Sequence, residues 1–100
     1  MTRYHILIEF TGALDLKGKI SASLAIRKMI ERLTNEYDTH VQSVQDTKCE
    51  ITLRSNSPED ISGSLRSTLE GMTGGMACQI SVRTEADNDE ISFEIGRAHV

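Results

Sequence analysis

The sequence predicts an α+β fold with two helices covering one face of an antiparallel sheet. Three observations carry this. Apolar residues alternate at period two in several short stretches, they recur at three- and four-residue steps in two longer ones, and these patterns follow one another as β-α-β-β-α-β-β. The chain has 100 residues, which is one domain, and buries roughly two-thirds of its unfolded surface. No internal repeat or low-complexity segment interrupts it.

Residues 3–10, RYHILIEF, read as the first strand. Tyr4, Ile6, Ile8 and Phe10 share one face and Leu7 sits on the other, the pattern of a strand central in its sheet. A connector from Gly12 to Gly18 follows. From about Lys19 to Tyr37 the period lengthens: Ile20, Ala22, Ala25, Ile26, Met29, Ile30, Leu33 and Tyr37 form one wide stripe on an amphipathic helix. Asp15 and Ser21 are both suitable N-caps for it.

Residues 39–45 (THVQSVQ) and 48–54 (KCEITLR) read as two strands joined at Asp46-Thr47. In the second, Cys49, Ile51 and Leu53 alternate with Glu50, Thr52 and Arg54. In the first, Val41 and Val44 break the two-residue register, which marks an edge strand or a bulge. SNSPEDISGSLRSTLEGM then carries helix-start chemistry: Ser57 as N-cap, Pro58 in the first turn, and Asp60 as the capping-box acid. Ile61, Leu65, Leu69 and Met72 line its inner face, and Gly71, Gly74 and Gly75 supply the exit.

Residues 76–85 and 90–95 alternate again through Cys78, Ile80 and Val82 and then Ile91 and Phe93, with a hairpin turn at 86–89. The first six elements match the ferredoxin-like split β-α-β sandwich, and the seventh extends the sheet as a C-terminal strand. The domain is assigned to residues 1–94. The ending, EIGRAHV, back-translates as GAG ATC GGA AGA GCA CAC GTC. From its second base this resembles a widely used short-read sequencing adapter, whose next triplet is the stop TGA. Residues 95–100 are therefore expected to be a non-native tail from a draft or metagenomic assembly, with a native gene that continues past it.

Composition narrows the chemistry. A net charge of −4, with eleven basic residues scattered along the chain, argues against nucleic-acid and acidic-membrane binding. No apolar run approaches ~18 residues. No signal peptide is visible, and the predicted compartment is the cytoplasm. Cys49 and Cys78 fall at inward strand positions and read as buried apolar thiols; a disulfide needs their strands to be neighbours. His5, His40 and His99 do not combine with them at a zinc-like spacing, so no metal is expected. Glu85, Asp87, Asp89 and Glu90 lack the calcium-loop spacing and its central glycine. The glycines at 71, 74 and 75 end a helix, whereas phosphate cradles open one. The helix serines have no base beside them, so no catalytic residue and no cofactor are expected. The outer sheet face should show His5, Leu7, Glu9, Glu50, Thr52, Arg54, Gln79, Ser81 and Arg83, without the aromatic rings on which RNA bases stack.

Two stretches carry resemblances. Asp15-Leu16-Lys17-Gly18-Lys19-Ile20, followed by a helix and His40-Val41-Gln42-Ser43-Val44, resembles amino-acid-sensing ACT domains, which implies a ligand near Asp15 and Gly18. Phe10-Thr11-Gly12-Ala13-Leu14-Asp15-Leu16, Val41-Gln42-Ser43-Val44, Cys49-Glu50-Ile51-Thr52-Leu53 and the helix from Pro58 are similar to effector-associated domains. Thr47-Lys48 stands where those modules commonly carry Gly-Ser. The second resemblance implies an N-terminal adaptor of a prokaryotic conflict-system protein, working through like-with-like contacts. The expected function is thus a non-catalytic protein–protein interaction module, with Glu9, Glu50, Arg54 and Arg83 on the open face as contact residues. The alternatives are a small acidic phage-borne inhibitor of a host defence protein and an ACT-like small-molecule sensor.

Overall fold

A computed structural model describes residues 2–11, 15–72, 76–84 and 90–95. The elements are β1 (Thr2–Phe10), α1 (Leu16–Glu36), β2 (Asp38–Val44), β3 (Lys48–Ser55), α2 (Pro58–Met72), β4 (Cys78–Thr84) and β5 (Glu90–Ile95). They form one sheet in the order β2-β3-β1-β4-β5, and all its neighbours are antiparallel. β3 therefore lies between β1 and β2, and β1 between β3 and β4. These are two interleaved split β-α-β units, a ferredoxin-like architecture that β5 extends on one side.

The inward residues of the three central strands are Tyr4, Ile6, Ile8 and Phe10, then Cys49, Ile51 and Leu53, then Cys78, Ile80 and Val82. Ala22, Ala25, Ile26, Met29 and Leu33 of α1 join the same core, as do Ile61, Leu65 and Leu69 of α2. Since all the sheet residues are of one register parity, both helices cover a single face. Ser64 of α2 donates to Glu36 of α1 at 3.2 Å, and Arg32 holds the other oxygen of that carboxylate at 3.0 Å. Each fully buried Leu or Ile contributes roughly 1.5–3 kcal/mol, so this shared core dominates over such surface pairs.

α1 differs from expectation at its start. Asp15 is the N-cap: its Oδ1 accepts from the Gly18 amide at 2.8 Å, and the helix begins at Leu16 rather than near Lys19. Leu16–Gly18 are thus helical rather than connector, and Ser21 is an exposed interior residue. Ile20, expected on the buried stripe, is 55% exposed. Residues two apart on a helix diverge by roughly 200°, so Ile20 does not share the face of Ala22. At the other end, the Tyr37 amide and the Thr39 hydroxyl both donate to the Leu33 carbonyl, and the chain turns directly into β2.

In α2, Ser57 caps as expected, its Oγ accepting from the Asp60 amide at 3.4 Å. The capping-box role assigned to Asp60 is filled otherwise. Ser55 Oγ takes the Ser57 amide at 3.3 Å, and the Ser57 hydroxyl donates to Glu59 at 2.8 Å. That hydrogen bond, followed by the Glu59 backbone amide, holds the Glu59 carboxyl below its ordinary pKa. β2 is both an edge strand and bulged, with its register shifting between Val41 and Ser43. Ile95 pairs with Cys78 at the end of β5. The turn expected at 86–89, the glycines at 74 and 75, and residues 96–100 lie outside the described residues.

Candidate interaction surfaces

The face of the sheet turned away from the helices carries all four expected contact residues, but not as one cluster. Arg54 lies opposite Arg3 on β1 and Asp38 on β2. Arg83 lies opposite His5 and, in register, Glu90. Glu50 faces Leu7, while Glu9 stands between Lys48 and Gln79. The Arg3 end of the strands is therefore the basic end, and the Glu9 end the acidic one. Directly opposed unlike charges such as Glu9–Lys48 contribute roughly 0.2–1 kcal/mol. Among the described side chains the face displays no aromatic ring: Tyr4 and Phe10 are buried, and Tyr37 packs against the core.

A second surface was not expected from the sequence. Leu16, Ile20 and Leu24 of α1 are 76%, 55% and 52% exposed, and Val41 and Val44 of β2 are 38% and 49% exposed. Among the described residues these are the exposed large apolar side chains, and all belong to two neighbouring elements at one margin of the fold. Leu16, Ile20 and Leu24 line a shallow groove with Lys19 and Arg27, closed by Asp46 from the β2–β3 turn. The turn thus lies beside the first half of α1. Val41 and Val44 pair with the inward residues Ile51 and Cys49, so they face the helix layer from the sheet's outermost strand.

Charge gathers here as well. Lys17, Lys19, Arg27 and Lys28 are basic, and residues 16–28 contain no acid, in a chain whose net charge is −4. Of these, Lys19 and Arg27 line the groove, whereas Lys28 lines a separate shallow depression with Glu31, Arg32 and Glu36. The sequence did hold a signal: Leu16, Ile20 and Leu24 recur at four-residue steps, a second stripe apart from the core one.

The remaining candidates for chemistry stay apart. Cys49 and Cys78 are buried free thiols, and burial pushes both up to about 12. A buried protonated thiol is a poor nucleophile and a poor metal ligand. Among the described residues no three His, Cys, Asp or Glu side chains gather as a metal-binding group. No described helix is long and apolar enough to cross a membrane.

No known family model matches the chain, and no curated protein does. A de novo designed protein with a ferredoxin fold is similar in structure, with a TM-score of 0.46 and 11% sequence identity, over 100% of this chain and 88% of that one.

Proposed function

We propose that this protein is a non-catalytic protein–protein interaction module, an adaptor that meets its partner at the margin formed by α1 and β2. The observation that carries the reading is the concentration of Leu16, Ile20, Leu24, Val41 and Val44 on that one margin. Exposed apolar side chains are ordinary when scattered and informative when contiguous. The likeness to effector-associated domains, which involves Val41–Val44 and the helix from Pro58, supports an adaptor role in a prokaryotic conflict system, in the cytoplasm.

Among the described residues, one side of the β2 backbone has no strand partner, which invites strand addition. Its bulge shortens the regular run available for that, a common protection of sheet edges. Affinity therefore comes mainly from the apolar side chains. Lys19 and Arg27 in the groove select an acid-rimmed partner surface and speed its approach. Two copies meeting through this margin alone would oppose their basic rims, which favours a different protein over self-association. Glu9, Glu50, Arg54 and Arg83 serve as secondary contacts on the open face.

The test is affinity capture from the host's extract with wild type and an Ile20→Lys/Leu24→Lys variant, alongside sedimentation of both over a concentration series. The expected result is a partner that wild type retains, the variant loses, and added salt weakens. If both proteins recover the same partners, or the only difference lies in concentration-dependent self-association, an acid-rimmed heterotypic partner at this margin is refuted.

A further inference from the structure

The groove along α1 is built from two parallel rows. Leu16, Ile20 and Leu24 form one at four-residue steps, and Lys19, Ser23 and Arg27 form the adjacent one at the same step. Such rows are the ridges of a helix surface, and two neighbouring ridges leave between them the furrow into which a ridge of another helix packs. We propose that this furrow takes an amphipathic helix of the partner protein, whose apolar stripe is bordered by Asp and Glu. This rests on the adaptor reading and specifies the form and charge of what the adaptor meets.

Backbone hydrogen bonding selects a helix over an extended segment. Among the described residues, Asp46 is the one contribution to the lining from outside α1, so no strand edge borders the groove. The backbone groups of α1 beyond its first turn are already paired within the helix. An extended segment lying on Leu16, Ile20 and Leu24 would therefore bring polar backbone against apolar side chains with nothing to pair it. A helix arrives with its own backbone bonds made and offers side chains alone. Leu16 to Leu24 spans about 12 Å at ~1.5 Å per residue, a little over two turns of such a partner. The groove's volume of ≈ 290 Å³ sits at the small end of the ~300–1,000 Å³ typical of small-molecule sites, and its shallow form suits a row of side chains.

Charge decides what borders the partner's stripe. Lys19 and Arg27 stand at the two ends of the second row, and among the described residues neither is held in an ion pair. Asp46 is the carboxylate of the lining, so two cations face one anion in a chain whose net charge is −4. A helix with acids beside its apolar stripe meets both cations, whereas one with Lys or Arg there meets repulsion. A second copy of this chain is a poor occupant, because its matching stripe is bordered by the same two cations. Lys28, in its separate depression with Glu31, Arg32 and Glu36, takes no part in the contact.

The test is a display selection on the whole chain with two peptide libraries of equal size. One places apolar residues at i, i+3, i+4 and i+7, the other alternates apolar and polar residues, and the polar positions of both are random. Binders are expected from the first library, with Asp and Glu enriched over Lys and Arg beside the apolar stripe. The best of them, titrated by fluorescence anisotropy, should bind Leu24→Lys at least about tenfold more weakly, as expected for a charge pressed against apolar surface. Lys19→Gln/Arg27→Gln should weaken it about fivefold, and Lys28→Gln by no more than about twofold. All four side chains are exposed, so the amide spectra of the variants should match that of wild type. The proposal is overturned by binders that come mainly from the alternating library, by binders without an excess of acid, by unchanged affinity in the Leu24 variant, or by enrichment from neither library. Those results leave the adaptor reading standing as long as capture from extract still depends on Ile20 and Leu24, and loss of that dependence removes both.

Discussion

Cys49 and Cys78 face the same core from opposite sides of β1, one paired with Ile8 and the other with Phe10. Two strand spacings across and two residues along β1 put their backbones about 12 Å apart, beyond the ~7 Å that a disulfide tolerates. Both are therefore structural thiols, and burial raises each from 9.0 to about 12. In the folded protein neither should react with a thiol reagent at pH 8, and both should react in denaturant.

The same burial sets a pH dependence. The folded pKa is raised, so the stabilisation is complete below pH 9.0, where unfolded thiols are also protonated, and is lost as pH rises towards about 12. In that window each thiol should lower stability by up to about 1.4 kcal/mol per pH unit. Urea unfolding at pH 8 and pH 10 measures the slope. A Cys49→Ala/Cys78→Ala variant should show less of it, even though it starts less stable.

Asp15 sits outside the apolar stripe of α1 yet fixes where the helix begins, through its 2.8 Å bond to the Gly18 amide. Asp15→Ala should cost about 1 kcal/mol, the usual worth of such a cap. Ser21→Ala, in the exposed helix interior, should be neutral or slightly stabilising. Denaturant midpoints of the two variants decide between the caps that the sequence allowed. Equal effects would mean that the Asp15 bond contributes nothing.

Most of the fold was legible because period-two and period-3.6 patterns are imposed by burial on one side. Ile6, Ile8, Ile51, Ile80, Leu65 and Leu69 all fall where those periods put them. Ile20 was misplaced because apolar residues two apart were assigned to one helical face. Asp60 was given the capping-box role because sequence spacing cannot show that Ser55 reaches the Ser57 amide first. Glu9, Glu50, Arg54 and Arg83 were assigned to the open face by alternation alone, and the register places them there. Their division into basic and acidic ends depends on which strands are neighbours, which no local pattern encodes. The α1–β2 margin was hidden for the same reason, since α1 and β2 become neighbours at one edge only when the strand order is known.

Gly63 lies in the interior of α2, exposed, and a Cβ added there would meet nothing within 4 Å. Gly63→Ala should stabilise the protein by about 0.5–1 kcal/mol by restricting the unfolded chain and improving helix propensity. Its neighbour Ser62 has a buried hydroxyl without a hydrogen-bond partner among the described residues. Ser62→Ala removes that unpaired group and should also raise stability, by about 1 kcal/mol. Thermal unfolding of both variants checks the pair. A loss at position 62 would show that its hydroxyl makes a bond worth more than its burial costs.

Ile20 and Ile26 lie on the same helix and are the same residue, so they separate folding from surface function. Ile26 is fully buried in the core, whereas Ile20 is 55% exposed. Ile26→Ala should cost about 2–4 kcal/mol through lost burial and the cavity left behind. Ile20→Ala should stay within about 1 kcal/mol, because little of its surface is removed from water on folding. A small stability cost together with lost partner capture assigns Ile20 to the interaction margin. A cost comparable to that of Ile26 would make Ile20 a folding residue, and the apolar margin would then lose its central member and the proposed function its main support.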